Sequence, residues 1–282
     1  MNNGMIVNLQ IGMWSGHKLD KTQTLELLDN AQAERDAARV NKHLVSKDSL
    51  KAVTQAAGAL RQFFYRAALP WGDNGDRILG TAAYLAFMDQ YSDLKDDFLC
   101  AVDEFVKVKY PAERARAQFR MGTMFIAEDY PPPEDLRSRF YIHLSLHGVP
   151  TGEDFRVQLQ DADVERIKHE IDEGNAARLK AAMQTVWDRL FTTVSHFAER
   201  MGGDAKFRES TVVNLQALAE EIPALNITND PALNALSAEI HSRLSGLSAP
   251  DLRKHPDLKE KARKDAVALA NKVAQMMAGS GG

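Results

Sequence analysis

Aromatic residues lie beside cations at four places in the sequence. Cations neutralise phosphates, and an aromatic ring contributes about 1–3 kcal/mol for each base that stacks on it. Because every base has a π-face, such a surface would bind single strands without demanding a particular sequence. The four groups are Trp14 with His17 and Lys18, Phe63-Phe64-Tyr65 with Arg61 and Arg66, Phe119 with Arg116 and Arg120, and Tyr141 with Arg139.

Each aromatic group also has an ordinary structural interpretation. Phe64 and Phe119 occur at helical spacing, and in that setting an aromatic side chain is first of all a core residue. Trp14 and Tyr141 are better candidates for stacking, because strand alternation places them opposite the apolar face of their strands. A helix packed over that second face would leave no stacking surface.

Cations are concentrated in two segments, although the whole chain has a net charge of −4. Residues 35–66 contain seven cations and two anions, and residues 251–272 contain seven cations and four anions. Either segment could present a local positive surface to a polyanion, although such cations usually form only a solvated helix face. The candidate phosphate-binding cations are Lys18, Arg35, Arg39, Lys42, Lys47, Lys51, Arg61, Arg66, Arg139, Arg253, Lys254, Lys259, Lys261, Arg263 and Lys264.

No catalytic motif accompanies these residues. The glycine-rich nucleotide motifs and H-E-x-x-H do not occur in the sequence. Paired carboxylates such as Asp96-Asp97 fall in helical patterns where ion pairing explains them. The single cysteine, Cys100, has no partner for a disulfide within the chain. We therefore expect a protein that is not an enzyme and that needs no metal or cofactor.

Two stretches have the alternation of a β-strand. In residues 5–14 the odd positions are apolar from Met5 to Met13, and in residues 139–147 the apolar positions run from Phe140 to Leu146. We predict that these two strands pair, although more than a hundred residues separate them. Trp14, Tyr141, His143 and His147 would then lie on the outward face.

The rest of the chain has the spacing of helices. We predict helices from Asp20, as an N-cap, toward Val40, and over 48–69, 77–109, 113–121, 161–201, 210–219, 231–244 and 256–277. The helix over 161–201 is long enough to pack antiparallel against that over 77–109. The predicted fold is therefore mainly α, an elongated bundle of long antiparallel helices with a small two-stranded β element.

Composition and spacing also suggest how the chain is organised. We predict an elongated helical body over 1–202, a small helical region over 203–247, and a basic C-terminal helix with a disordered glycine-rich end over 248–282, reached by a linker at 245–250. No apolar run is long enough to span a bilayer, and no signal peptide is evident, so we expect a cytoplasmic protein. We also expect a homo-oligomer.

Two motifs resemble an uncharacterised family from phages, plasmids and bacteria. The first is V-N-L-x-I-x-x-W-S-G-x-K-L, which runs from Val7 to Leu19. The second runs from Phe207-Arg208-Glu209-Ser210 through Asn214-Leu215 and Leu225-Asn226 to Asp230-Pro231. In size and layout the chain is also similar to the Drc-type RNA polymerase cofactors of phages that encode their own polymerase. That resemblance implies preferential single-stranded DNA binding, a fold unlike the OB barrel, and recruitment of the phage-encoded RNA polymerase to melted promoters in the host cytoplasm.

Two functions of different classes follow. The first is a sequence-tolerant, single-stranded-DNA-binding transcription cofactor that uses the two basic segments, Trp14 and Tyr141. The second is an oligomeric helical adaptor or scaffold that binds protein partners and never contacts DNA.

Overall fold

The computed structural model describes residues 3–154, 161–202, 207–244 and 246–279. The strands are β1 (Gly4–Gly12), β2 (His17–Leu19), β3 (Asn41–His43), β4 (Leu69–Pro70), β5 (Arg77–Gly80) and β6 (Tyr141–Gly148). The helices are α1 (Lys21–Ala31), α2 (Lys47–Ala67), α3 (Tyr84–Glu104), α4 (Tyr110–Met121), α5 (Pro133–Arg137), α6 (Asp161–Gly202), α7 (Glu209–Leu225), α8 (Pro231–Leu244), α9 (Ala249–Lys254) and α10 (Pro256–Gly279). Disorder is predicted for residues 279–282, but Gly279 is the last residue of α10, and residues 280–282 lie outside the described residues. None of the described helices combines the length and apolar composition needed to cross a membrane.

The fold is mainly α with a small sheet, as the sequence predicts. In the larger sheet the strand order is β4-β5-β1-β6, so β1 and β6 are neighbours and the predicted pairing is confirmed. The sheet has four strands instead of the expected two, because β5 pairs antiparallel with β1, from Gly4 opposite Gly80 to Val7 opposite Arg77. Residues 77–80 have helical spacing, but their pairing with β1, which is distant in sequence, places them in a strand.

Contacts within the chain define two compact units, and both are assembled from separate segments. Unit 1 comprises residues 1–8, 65–87 and 145–282, and unit 2 comprises residues 9–64 and 88–144. This division differs from the predicted boundaries at 202 and 247. The helices that follow residue 202 belong to the same unit as α6.

Unit 1 is built on the 42-residue helix α6. At 1.5 Å per residue this helix is about 60 Å long. Its buried stripe, which includes Val186, Leu190 and Val194, lies in one apolar core with α7, α8 and α10. On α10 the buried residues include Ala262 and Ala266, whose small side chains allow close helix packing. The helix that packs most extensively on α6 is therefore α10, whereas most of α3, which the sequence predicts as its partner, belongs to unit 2.

Unit 2 has an aromatic core. Trp14 packs against Phe105 and Tyr110, with ring centroids 6.2 and 5.7 Å apart, and Phe105 also packs against Phe140 at 5.8 Å. Residues 105–109 form one π-helical segment between α3 and α4. Phe105 and Val106 in this segment, and Tyr110 directly after it, are buried. Burial raises the pKa of Tyr110 to about 12, and its hydroxyl donates to the Pro131 carbonyl at 2.7 Å.

Local sequence features set the boundaries of α1 and the start of α9. Asp20 caps α1, as predicted, by accepting from the Gln23 backbone N–H at 3.1 Å. The helix ends nine residues before Val40, because Gln32 turns the chain in the left-handed conformation with φ 50° and β3 then returns to pair with β2. The predicted linker at 245–250 overlaps α9, which Ser248 caps through the Asp251 N–H at 3.2 Å. Ser245 lies outside the described residues.

Candidate nucleic-acid interface

A groove of about 430 Å³ lies in unit 2 between β2, β3 and the first turns of α2. Its wall contains two histidines, two lysines, one carboxylate and several hydroxyl and amide groups. The lining residues are Ser15, His17, His43, Val45, Ser46, Lys47, Asp48, Leu50, Lys51, Thr54 and Gln55.

Gly16 lies between Ser15 and His17, two residues that line the groove. Its φ is +70°, and an added Cβ would lie 2.8 Å from Val45 Cγ2, so both the conformation and the packing require glycine. The Leu44 N–H donates to the Gly16 carbonyl at 2.8 Å. The W-S-G part of the first motif therefore has a structural reason: it buries Trp14 and turns the chain into β2.

The start of α2 is held by hydroxyl groups and one carboxylate. Ser46 Oγ and Ser49 Oγ donate to Glu113 Oε1 at 2.6 and 2.5 Å. Burial alone would raise the pKa of Glu113, but these two hydrogen bonds, together with the charge of Arg120 and a backbone hydrogen bond from Ser46, hold that pKa below the usual range. Glu113 therefore stays ionised, and it anchors the helix that presents Lys47 and Lys51.

The groove carries unpaired positive charge. Lys47 and Lys51 are exposed, and within the described residues neither makes an ion pair. They lie one turn apart on α2, on the same helix face. Asp48 is the carboxylate among the lining residues. His17 and His43 add two exposed imidazoles, whose ring centroids are 4.3 Å apart.

The end of α4 contacts the same part of unit 2. Arg120 Nη2 donates to the carbonyls of His43, at 2.8 Å, and of Leu44. The preceding residue, Phe119, is 94 % exposed. The Phe119 ring is thus free to stack, contrary to the core role that helical spacing favours for it. Arg116, three residues earlier on α4, is also exposed.

A buried charge cluster lies behind β2 and β3. Lys42 Nζ lies 2.5 Å from Asp129 Oδ2 and 3.5 Å from Asp20 Oδ2, and Lys18 Nζ lies 2.6 Å from Asp129 Oδ1. Burial alone would lower the pKa of Lys42, but Asp129 and Asp20 outweigh it and raise that pKa. Burial would likewise raise the pKa of Asp129, but the two lysines hold it below the usual range. Lys42 and Asp129 are therefore both charged at neutral pH.

Two predicted site residues of unit 2 are corrected by this arrangement. Trp14 is only 8 % exposed, because α4 and the π-helical segment cover the face on which the sequence places it outward. Lys42 is 3 % exposed and its ammonium group is held by carboxylates, so it has no free charge to offer a phosphate. Lys18 remains exposed but shares Asp129 with Lys42.

Other predicted residues of unit 2 are accessible. Arg35, Arg39 and Arg139 are exposed, and Arg61 is half-buried. Tyr141 is 53 % exposed. Its ring lies against Gly12, where an added Cβ would be 2.1 Å from Tyr141 Cε1.

The predicted residues of unit 1 are mostly engaged with protein groups. Arg66 Nε lies 2.8 Å from Glu221 Oε1, and Arg253 donates to the Phe207 carbonyl at 2.9 Å while its guanidinium lies over the Phe207 ring. Lys259 also lies near this ring, at 6.0 Å. Arg263 and Lys264 contact Glu260 Oε1 at 2.7 and 3.8 Å. Lys254 and Lys261 are exposed and make no ion pair within the described residues.

A second cavity, of about 440 Å³, lies in unit 1 around Arg66, Arg189 and Glu221. Burial raises the pKa of Glu221, and the attraction of the two arginines offsets this only in part. Both guanidinium groups are already paired with this carboxylate, Arg189 Nη2 at 3.3 Å. The cavity therefore presents less free positive charge than the groove of unit 2.

His17 and Phe119 belong to the aromatic groups beside cations, but neither is among the predicted binding residues. No sequence pattern points to His43, whose place in the groove follows only from the pairing of β2 with β3. Comparisons of the chain with protein-family models, curated proteins and solved structures find no match.

Proposed function

We propose that the protein binds single-stranded DNA in a sequence-tolerant way through the groove of unit 2. The observation that supports this proposal is the pair of exposed lysines, Lys47 and Lys51, which line one groove and make no ion pair among the described residues. The exposed ring of Phe119 adds a stacking surface on α4, where the next residue, Arg120, contacts the carbonyl of the groove residue His43. An electropositive groove beside a ring that can stack is the usual arrangement of proteins that bind single strands without base readout.

Each part of the groove has a role in this proposal. Lys47 and Lys51 neutralise successive phosphates, and the side chains of Ser15, Thr54 and Gln55 can donate hydrogen bonds to phosphate or sugar oxygens. Phe119 stacks on a base. Because a ring accepts any base, the proposed binding tolerates sequence but prefers unpaired strands, whose bases are accessible.

The biological role that we propose is that of a transcription cofactor. The resemblance to the Drc-type proteins is its basis: the protein would hold melted promoter DNA in the host cytoplasm and recruit the phage-encoded RNA polymerase there. Self-association into a homo-oligomer would extend the DNA-binding surface along one strand.

A second candidate is the helical adaptor, and a specific observation favours it. Leu19, Leu25 and Leu27 in and beside α1 are exposed to 40 %, 47 % and 47 %. Contiguous exposed apolar surface is typical of sites that bind another protein, and these leucines would contribute to such a surface in the adaptor hypothesis. If this role is the correct one, Leu25→Asp with Leu27→Asp disrupts assembly in sedimentation velocity, and the wild-type protein does not bind DNA.

The deciding experiment measures oligonucleotide binding by fluorescence anisotropy across a salt series. For single strands the slope of log affinity against log salt is about −0.7 per neutralised phosphate, so Lys47→Ala with Lys51→Ala should reduce its magnitude by about 1.4. The matched control is Lys107→Ala with Lys109→Ala, which removes the same charge from lysines of unit 2 that are ion-paired with Asp103 and Glu104.

We expect the wild-type protein to prefer single strands to duplexes, and the control variant to keep the wild-type slope. No binding to single strands at low salt would refute the proposal. An equal loss in the groove and control variants would also refute it, because it would show a diffuse charge effect and not a defined groove.

A further inference from the structure

His17 and His43 face each other across the β2–β3 ladder. They are register partners in the antiparallel pairing, with Lys18 opposite Lys42 in the next position. Their ring centroids are 4.3 Å apart at an interplanar angle of 68°. Both side chains are exposed, so neither imidazole is needed to fill the core.

Hydrogen bonds fix the backbone next to both histidines. The Leu44 N–H donates to the Gly16 carbonyl at 2.8 Å, which fixes the residues next to each histidine. Arg120 Nη2 donates to the His43 carbonyl at 2.8 Å. Directly opposite residues of an antiparallel pair have Cβ atoms about 4.5–5.5 Å apart. Two imidazoles at that spacing can each turn one nitrogen toward the same ion.

We propose that His17 and His43 form a two-histidine chelate for a divalent transition-metal ion. Imidazole suits Zn²⁺, Ni²⁺ and Cu²⁺, and the order of affinities for such nitrogen sites favours Cu²⁺. Among the described residues no three His, Cys, Asp or Glu side chains are grouped to hold an ion. The protein therefore supplies two ligands, and water fills the remaining positions, which stay open to the groove.

The charged residues that line the groove affect the affinity of the histidine pair for an ion. The ammonium groups of Lys47 and Lys51 line the same cavity and oppose a cation, while the carboxylate of Asp48 attracts one. With two neutral ligands and this unfavourable balance, binding is weaker than in the closed four-ligand sites of structural zinc. Metal binding by this histidine pair does not require nucleic-acid binding, so it can be tested without DNA.

The test is a Zn²⁺ titration of the full chain by isothermal calorimetry at neutral pH. The wild-type protein should show one class of site that His17→Ala and His43→Ala each weaken by about tenfold or more, because losing either ligand abolishes chelation. The double variant should bind no more weakly than either single variant. This non-additivity separates a chelate from two independent imidazoles.

The matched control is His143→Ala with His147→Ala. It also removes two exposed histidines, but four residues along one strand place them about 13 Å apart, too far to chelate. We expect this control to keep the wild-type affinity. An equal loss in the control and the double variant, or a wild-type affinity no higher than that of His17→Ala, would overturn the proposal.

The melting temperature gives a second test of the site and shows whether the variants are folded. Because His17 and His43 are exposed, their alanine variants should keep the melting temperature of the metal-free wild-type protein. Saturating Zn²⁺ should then raise the melting temperature of the wild type but not of the double variant, since only an ion bound to the native state stabilises it. A rise of equal size in both proteins would exclude this histidine pair as the site.

Discussion

Lys42 is the residue whose environment has the clearest energetic consequence. It is buried with Asp129 and Asp20, and removing one partner of a buried ion pair typically costs about 3–5 kcal/mol. Asp129→Asn should therefore lower the free energy of unfolding by about 3 kcal/mol, near the lower limit because Asp20 Oδ2 remains 3.5 Å from Lys42. Urea denaturation followed by circular dichroism measures this loss.

The control for this prediction is Asp103→Asn, which removes an exposed carboxylate that pairs with Lys107 and Arg137. It should cost much less, because solvent screens the exposed pair. A similar loss in both variants would contradict the buried-pair explanation.

The same cluster predicts how stability varies with pH. The pKa of Asp129 is lower in the folded state than in the unfolded state, so its contribution is present above the unfolded value of about 3.9 and is lost as the pH falls through the folded value. The difference in stability between wild type and Asp129→Asn should therefore be largest near neutral pH and shrink below about pH 4. A difference that stays constant down to pH 2 would contradict the assignment.

Trp14 and Phe119 should respond to alanine substitution in opposite ways. Trp14 is a core residue, so Trp14→Ala should destabilise the protein by about 3–5 kcal/mol. Phe119 is 94 % exposed, so Phe119→Ala should change stability by about 0.5 kcal/mol or less but weaken single-strand binding by about 1–3 kcal/mol. Thermal unfolding and anisotropy on both variants give the two quantities, and loss of affinity only in Trp14→Ala would contradict the assignment of Phe119.

At the scale of elements, the π-helical segment at 105–109 is the most unusual feature of unit 2. Such a segment behaves as one residue inserted into an α-helix, so deleting a residue there can restore regular α-helix without turning the flanking helices. Deleting Val108, which is 63 % exposed, should therefore lower the melting temperature only slightly.

The matched control is a deletion of the exposed Asp97 within α3. A deletion in regular helix turns everything on one side of it by about 100°, which would move Phe98 or its neighbours out of the core. Deletion of Asp97 should thus be far more damaging than deletion of Val108. Equal losses of melting temperature would contradict the inserted-residue interpretation.

The elements that the sequence predicts well are those with long local periodicity. The helix over 161–201 and the helix over 231–244 match α6 and α8 within one residue, and the alternation of residues 5–14 correctly indicates β1. In contrast, β5 has four residues and exists because it pairs with β1, so no local pattern distinguishes Arg77–Gly80 from the helix that follows.

The candidate site is harder to predict from the sequence than the fold, because it depends on which elements pack against one another. Basic composition indicated Lys47 and Lys51, but periodicity does not say which face of an element another element covers. For that reason Trp14, which the sequence places on an outward face, is buried, and Phe119, which helical spacing places in the core, is exposed. Lys42 has the same charge as its neighbours in the sequence, and only the approach of Asp129, more than eighty residues away, makes it a buried structural cation.

At the scale of the whole molecule, the second basic segment gives a separate prediction. Replacing Lys254, Lys261, Arg263 and Lys264 with Ala should weaken single-strand binding uniformly across sequences. Because Glu260 engages Arg263 and Lys264, the salt slope should change by about 1.4, as expected for two phosphates, and not by the roughly 2.8 expected for four.

The comparison for this prediction is Lys254→Ala with Lys261→Ala, which should match the quadruple variant in a salt-dependent anisotropy series. An unchanged slope in the quadruple variant would show that this segment does not contact DNA. A slope change in the quadruple variant twice that of the double variant would show that Glu260 does not neutralise its partners.

The division of β1 between the two units has a consequence for synthesis on the ribosome. Residues 9–144 contain the whole of unit 2, whereas unit 1 needs residues 1–8 together with the helices after residue 145. As the chain emerges, unit 2 can fold while the first eight residues still lack the α6–α10 core of their own unit. The N-terminal half of β1 can pair with β5 once residue 80 has emerged, but the apolar core that covers these strands waits for the helices after residue 145. The early nascent chain is therefore the stage at which chaperone binding would matter most.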